Sequence, residues 1–131
     1  DCNYPYDELC GCGVGFKLIQ ALASKKGQTI EHLVPYLDLV ATAIGADIVP
    51  ITGENRVLAY FGMQVINSNP RIGFQAIINQ VKKKQLTITD VVFIIAPRIN
   101  AAGRMEHGQQ AVNLLTETDL KQAEQFASGI E

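Results

Sequence analysis

The stretch TIEHLVPYLDLVATAIG, residues 29–45, decides the fold class. Ile30, Leu33, Val34, Leu37, Val40, Ala41 and Ile44 recur at spacings of three and four, which places them on one face of a helix. Thr29 stands where an N-cap belongs, and Gly45 where a helix stops. Pro35 falls inside the stripe. Lacking an N–H, and with a ring that crowds the preceding turn, it either kinks the helix or marks where a second helix begins.

The same spacing extends in both directions. Upstream, Val14, Leu18, Ala21 and Leu22 predict the inner face of another helix. Downstream, Thr52 is placed to cap a helix with Val57, Leu58, Phe61 and Val65 turned inward. Asn67 to Pro70 is a turn-rich break, with Pro70 at the first position of a helix that buries Phe74, Ile77, Ile78 and Val81. That helix is expected to end in Lys82, Lys83 and Lys84, whose charges complement the dipole at a C-terminus. The lysine run then reads as a solvated helix end ahead of a ligand site. Val91 to Ile95 is a five-residue apolar run that fits a buried strand or a helical turn, and a cap at Thr87 or Thr89 favours the helix. Ala96-Pro97 is expected to break the element. Two more helices follow, one carrying Ala111, Val112 and Leu115, the other Leu120, Ala123 and Ala127 behind a cap at Thr118. The expected fold is mostly α.

Of the 131 residues, 47% are apolar, enough for a packed core. Only 18% are charged, against ~25% in ordinary soluble domains, which fits either a piece whose missing part covers apolar surface or a well-buried small domain. The start without Met and the close on Gly129-Ile130-Glu131 also read as cuts in a longer protein. The net charge of −2 gives no global attraction to nucleic acid, so phosphate binding has to come from a local cation cluster. No apolar run approaches the ~18 residues of a membrane span. Three cysteines, Cys2, Cys10 and Cys12, sit near the start. The odd count without a signal peptide reads as a reduced, intracellular chain. Cys10-Gly11-Cys12 could be half of a zinc site, but small residues opening a tightly packed helix explain the pattern more simply. Gly11, Gly13 and Gly15 read as close backbone packing and not as a phosphate loop.

Two places could carry chemistry. Asp47 lies just past an apolar helix among apolar neighbours, where a carboxylate is costly unless compensated. It reads either as a turn or helix cap or as a ligand for a hard divalent cation. Arg98, Asn100 and Arg104 lie in an apparent loop of small residues, Arg98-Ile99-Asn100-Ala101-Ala102-Gly103-Arg104. The guanidinium fork fits phosphate oxygens in pairs, and the competing reading pairs these arginines with acids such as Glu106. His32 and His107 have no evident partners; His107 is a minor candidate for ligand contact.

At these motifs a family resemblance appears. YPYDELCGCGVGFKLIQAL, YLDLVATAIGADIVPITGENRVLAYFGM, NPRIGFQAII and APRINAAGRMEHGQQAVNLL, in that order, resemble RecJ exonucleases of the DHH phosphoesterase superfamily over nearly the whole length. The resemblance implies part of an α/β DHH catalytic domain over 1–70, a connecting helix over 71–84 and the start of a second, DHH-associated domain over 85–131. It implies a site for two divalent ions, Mn²⁺ or Mg²⁺, with Asp47 as a metal-binding and catalytic residue. It also implies that Arg98, Asn100 and Arg104 meet a single DNA strand, including its 5′ phosphate. The family's D-H-H and D-x-D-G motifs do not occur in this chain, so the resemblance implies that the piece alone is inactive. Gly45 departs from the larger residue many relatives carry beside the metal aspartate. The implied parent is a cytoplasmic, monomeric 5′→3′ exonuclease of DNA repair and recombination that works on single-stranded DNA, with DNA-repair proteins as possible partners and no membrane. Two other readings stand beside it: a helical DNA-binding or interaction module without catalysis, and a DHH phosphoesterase acting on small nucleotides.

Overall fold

The computed structural model describes residues 3–105 and 108–129, and of residues 102–105 the backbone alone. Helices account for all the regular structure among the described residues, as the sequence pattern leads one to expect. Helix α1 spans Gly11–Lys25, capped by Cys10, whose Sγ accepts from the Gly13 N–H. A 3₁₀ turn over Ile30–Tyr36 holds Pro35 and leads into α2, Leu37–Asp47. Pro35 therefore marks the start of a second helix, and Thr29 precedes the 3₁₀ turn without a side-chain capping bond.

Helix α3 spans Gly53–Ser68 and α4 spans Ile72–Gln80. A continuous helical rod follows: α5 over Ile88–Asp90, a π turn over Val91–Ile95, and α6 over Ala96–Met105. Helices α7, Gln109–Thr116, and α8, Leu120–Ser128, complete the fold. Thr87 starts the rod with a capping box, accepting from the Asp90 N–H while the Asp90 carboxylate accepts from Thr87 N–H at 2.9 Å.

Several details depart from the sequence reading, each for a physical reason. Gly45 does not stop α2. It is buried inside the helix, where a Cβ would come within 3.2 Å of Val92 Cγ2, so the glycine serves close approach of the π turn. Ala96-Pro97 does not break the rod. The Ala96 N–H reaches back to the Val91 carbonyl in the wider π register just before the proline, and this local widening takes up the missing donor and the ring. Pro70 lies outside α4, whose N-cap is Arg71. Because α4 ends at Gln80, Lys82 to Lys84 belong to a loop and not to a helix terminus. Asp119, and not Thr118, caps α8, its carboxylate accepting from Gln122 N–H at 3.0 Å.

Two inner faces also differ from expectation. On α1 the residues turned inward are Gly13, Phe16 and Ala23, while Val14, Leu18 and Leu22 face out. On α3 the buried positions are Asn55, Ala59, Gly62 and Ile66, with Val57 and Phe61 exposed. The reason on α3 is the approach of α2: a Cβ at Gly62 would fall on the Leu37 carbonyl and Ala41 Cβ, so only glycine fits at that point of contact.

Helix α2 joins two cores. Val40 and Ile44 pack with Phe16, Leu33, Leu37 and Ala59. Ala41 turns the other way, into a cluster with Ile66, Phe74, Ile77, Val91, Ile95 and Leu114. The helix that ends on Asp47 is thus gripped from both sides.

Candidate functional site

Asp47 is the last residue of α2 and is exposed. Its carboxylate makes no hydrogen bond or ion pair with any described residue, so both oxygens are available. A carboxylate at a helix C-terminus faces the negative end of the dipole, an arrangement that a nearby cation relieves. Ile48, next in the chain, adopts the left-handed conformation at φ 54°, ψ 37°. For a β-branched residue this is a true outlier, costing about 1–2 kcal/mol. Its side chain is 85% exposed, so burial does not compensate. Strain of this kind concentrates at functional sites.

Cys12 lies close enough to Asp47 to feel its charge. Although Cys12 is exposed, desolvation by the atoms packed around it raises its thiol above the ordinary range, and the charges of Cys10 and Asp47 push the same way. Cys10 is occupied as the α1 cap. Among the described residues, no group of three or more His, Cys, Asp or Glu side chains stands close enough to hold a metal. Free, hard oxygen donors fit Mn²⁺ or Mg²⁺, so the chain fits such a centre as the contributor of one carboxylate.

The Arg98–Arg104 segment is helical, within α6, and not the loop the sequence suggested. Arg98 is half-buried and Asn100 exposed, and two residues along a helix they project about 200° apart. Helical register puts Asn100 and Arg104 on one face, four residues apart. The Arg104 side chain and His107 lie outside the described residues, and His32 is exposed. The rod bearing these residues begins beside the Asp47 end of α2, where Gly45 meets Val91 and Val92.

Sequence reasoning passed over the best-bonded charge in the molecule. Asp38 is fully buried, and its carboxylate accepts from Arg71 N, Nε and Nη2 at 2.9–3.0 Å. Arg71 Nη1 also donates to the Leu115 carbonyl at 3.2 Å, so one guanidinium ties α2 to α7 across the start of α4. The signal was an aspartate inside the apolar run Leu37-Asp38-Leu39-Val40. The T-G-E-N-R segment has a structural use as well. Tyr6 Oη donates to the Thr52 carbonyl at 2.9 Å, and Asn55 Nδ2 donates to the Glu8 carbonyl at 2.7 Å. Tyr4 Oη donates to Glu54 Oε1 at 2.6 Å. The carboxylate holds that phenol in its neutral form and pushes its pKa up to about 12.

No family model matches the chain. The single-stranded-DNA-specific exonuclease RecJ of Bacillus subtilis is 38% identical over 132 residues, covering 99% of this chain and 16% of that protein. The crystal structure of RecJ in complex with Mn²⁺ from Thermus thermophilus superposes with a TM-score of 0.85 at 31% identity, over 95% of this chain and 19% of that one. A crystal structure of exonuclease RecJ bound to manganese gives a TM-score of 0.87 at 31% identity, over 98% of this chain and 33% of that one. Sequence order and helical architecture together place the chain beside one segment of these larger proteins. Over nearly its whole length the chain matches one stretch of RecJ exonucleases, and it spans about a sixth to a third of the length of the relatives named above.

Proposed function

We propose that this chain is the segment of a metal-dependent, 5′→3′ single-stranded-DNA exonuclease that brings one carboxylate to the metal centre and cationic side chains to the strand. The observation that carries the proposal is the carboxylate of Asp47, unpaired among the described residues, held at the end of a helix packed into both cores and followed by a strained residue. Relatives named for this activity, and neighbours bound to Mn²⁺ or Mg²⁺, support it. In this reading residues 1–70 close the catalytic domain, 71–84 connect, and 85–131 open the second domain. The remaining ligands come from parts of the enzyme outside this sequence, and the chain alone does not hydrolyse DNA. The complete enzyme is a cytoplasmic monomer serving DNA repair and recombination.

Divalent ions, when bound, supply Lewis acidity and a water of lowered pKa. Asp47 presents hard oxygens at a fixed place, because α2 cannot shift without disturbing two cores. Arg98 is the described cation of α6 that would meet strand phosphates, where a guanidinium forms paired, charge-assisted bonds. Asn100 and Arg104, from the same segment, are the further residues proposed to meet the strand.

The test is Asp47→Ala in the complete enzyme. Loss of a group that merely orients a metal ligand typically costs about 10–100-fold, so loss of a ligand itself is expected to lower single-strand hydrolysis with Mn²⁺ by more than about a hundredfold. Digestion at the wild-type rate would remove Asp47 from the site. Should the isolated chain bind single strands equally well in EDTA while Asp47→Ala leaves the complete enzyme active, the non-catalytic binding module becomes the better reading.

A further inference from the structure

A groove on the α3 face takes no part in the proposed metal centre. One wall is a single side of α3, with Arg56, Tyr60, Gln64 and Asn67, and the other is the segment Gln85 to Ile88. The groove holds about 830 Å³ over a floor of Ala59, Met63 and Leu86. A smaller depression of about 160 Å³, lined by Lys83 and Lys84, shares Asn67, Ser68 and Leu86 with it. The walls are fixed to each other. Asn67 Nδ2 donates to the Leu86 carbonyl at 2.9 Å, and the Leu86 N–H donates to Asn67 Oδ1 at 2.7 Å.

The charge along this track is of one sign. No carboxylate lines either depression among the described residues. Lys83 is committed to Asp90 at 2.6 Å, but the side chains of Arg56 and Lys84 form no hydrogen bond or ion pair with a described residue, and both residues are exposed. In a chain of net charge −2 this is a local exception to the overall field. Between the two cations Tyr60 is 60% exposed. Its ring is set edge-on against Phe61 with centroids 5.2 Å apart. Cations spaced along a groove, an open aromatic face between them and amides at the rim are the elements that hold a single nucleic-acid strand without reading its sequence. From Arg56 to Ser68 the helix rises about 18 Å, room for on the order of four nucleotides, the lower end of what single-strand folds cover.

We propose that this groove is a track for single-stranded nucleic acid, separate from Asp47 and from α6, with phosphates on Arg56 and Lys84 and a base on Tyr60. It rests on the proposed strand substrate for its biological sense, but its test does not pass through catalysis. The test is anisotropy of labelled (dT)20 with the 131-residue chain in EDTA, comparing wild type with Tyr60→Ala and with the Arg56→Gln/Lys84→Gln pair. All are exposed positions, and unchanged thermal midpoints confirm that the variants fold. Tyr60→Ala is expected to weaken binding about fivefold or more. Removing both cations is expected to weaken it about tenfold at low salt and to flatten the slope of log affinity against log salt by about 1.4. Unchanged affinity in either variant, or equal losses on duplex DNA of the same length, overturns the track and leaves the groove to an apolar protein partner. Failure here leaves the Asp47 proposal standing, and inactivity of Asp47→Ala says nothing about the groove.

Discussion

Helices α1 and α4 carry apolar stripes of the same kind, and the fold treats them in opposite ways. In α4, Phe74 and Ile77 are 0% exposed, enclosed by α7, α8 and the π turn. In α1, Leu18 is 71% exposed and Val14 56%, on the side turned away from α2. Helix α1 has a second stripe, Gly13, Phe16 and Ala23, and that one meets the neighbours. The difference teaches that periodicity identifies an apolar face but not what covers it. Where one helix carries two such faces, the one holding small residues and a single large anchor gives the closer approach.

The comparison is broken or sharpened most strongly at Phe74. Phe74→Ala is expected to cost about 3–5 kcal/mol, the usual range for emptying a packed aromatic site, read from the urea midpoint. Next comes Arg71→Ala. This leaves the carboxylate of Asp38 buried without its cation, and breaking such a pair costs about 3–5 kcal/mol. It also removes the guanidinium stacked 5.9 Å from the centre of the Phe74 ring. If Arg71→Ala costs under about 1 kcal/mol by the same measurement, water reaches Asp38 and the α4 region is less closed than its packing indicates.

These same elements show what was legible in the sequence. Most helices were readable from spacing, because burial of one face imposes the 3.6-residue repeat, but α6 was not: its run of small and polar residues reads as a loop. Gly45 and Pro97 were misread because each acts through a neighbour: the first admits Val92 to α2, the second is accommodated by a π turn five residues long. Asp47 was legible as a candidate because a carboxylate among apolar residues demands explanation. Its freedom from hydrogen bonds, and the strain at Ile48, required coordinates. The Asp38–Arg71 pair joins positions 33 residues apart, beyond the reach of any local pattern. The α3 groove was equally hidden, since its second wall comes from a loop nearly twenty residues further along the chain.

A middle-sized effect is expected where the rod starts. Thr87→Ala removes the hydroxyl that caps the Asp90 N–H and should cost about 1 kcal/mol. The Lys83 ammonium, hydrogen-bonded at 2.6 Å, holds the Asp90 carboxyl below its usual range, with the Thr87 backbone N–H adding to the effect. A depressed carboxyl pKa contributes stability that is complete above the unfolded value near 3.9 and is lost as pH falls through the folded value. Asp90→Asn should therefore flatten the acid limb of a stability–pH curve. An acid limb identical in the two proteins would mean that the bond to Lys83 does not hold Asp90 ionised in solution.

The smallest effect decides the comparison. Leu18→Ala keeps good helix propensity and removes a side chain that the fold leaves mostly in water. It is expected to change stability by no more than about 0.5 kcal/mol, as exposed substitutions do. Set beside Phe74→Ala, the ratio of the two costs measures how differently the two stripes are covered, with the chemistry of the deleted groups similar. A cost at Leu18 of about 2 kcal/mol or more in the isolated chain, the range for a buried leucine, would mean that the α1 stripe is covered in solution. The contrast between α1 and α4 would then be one of partner rather than of packing.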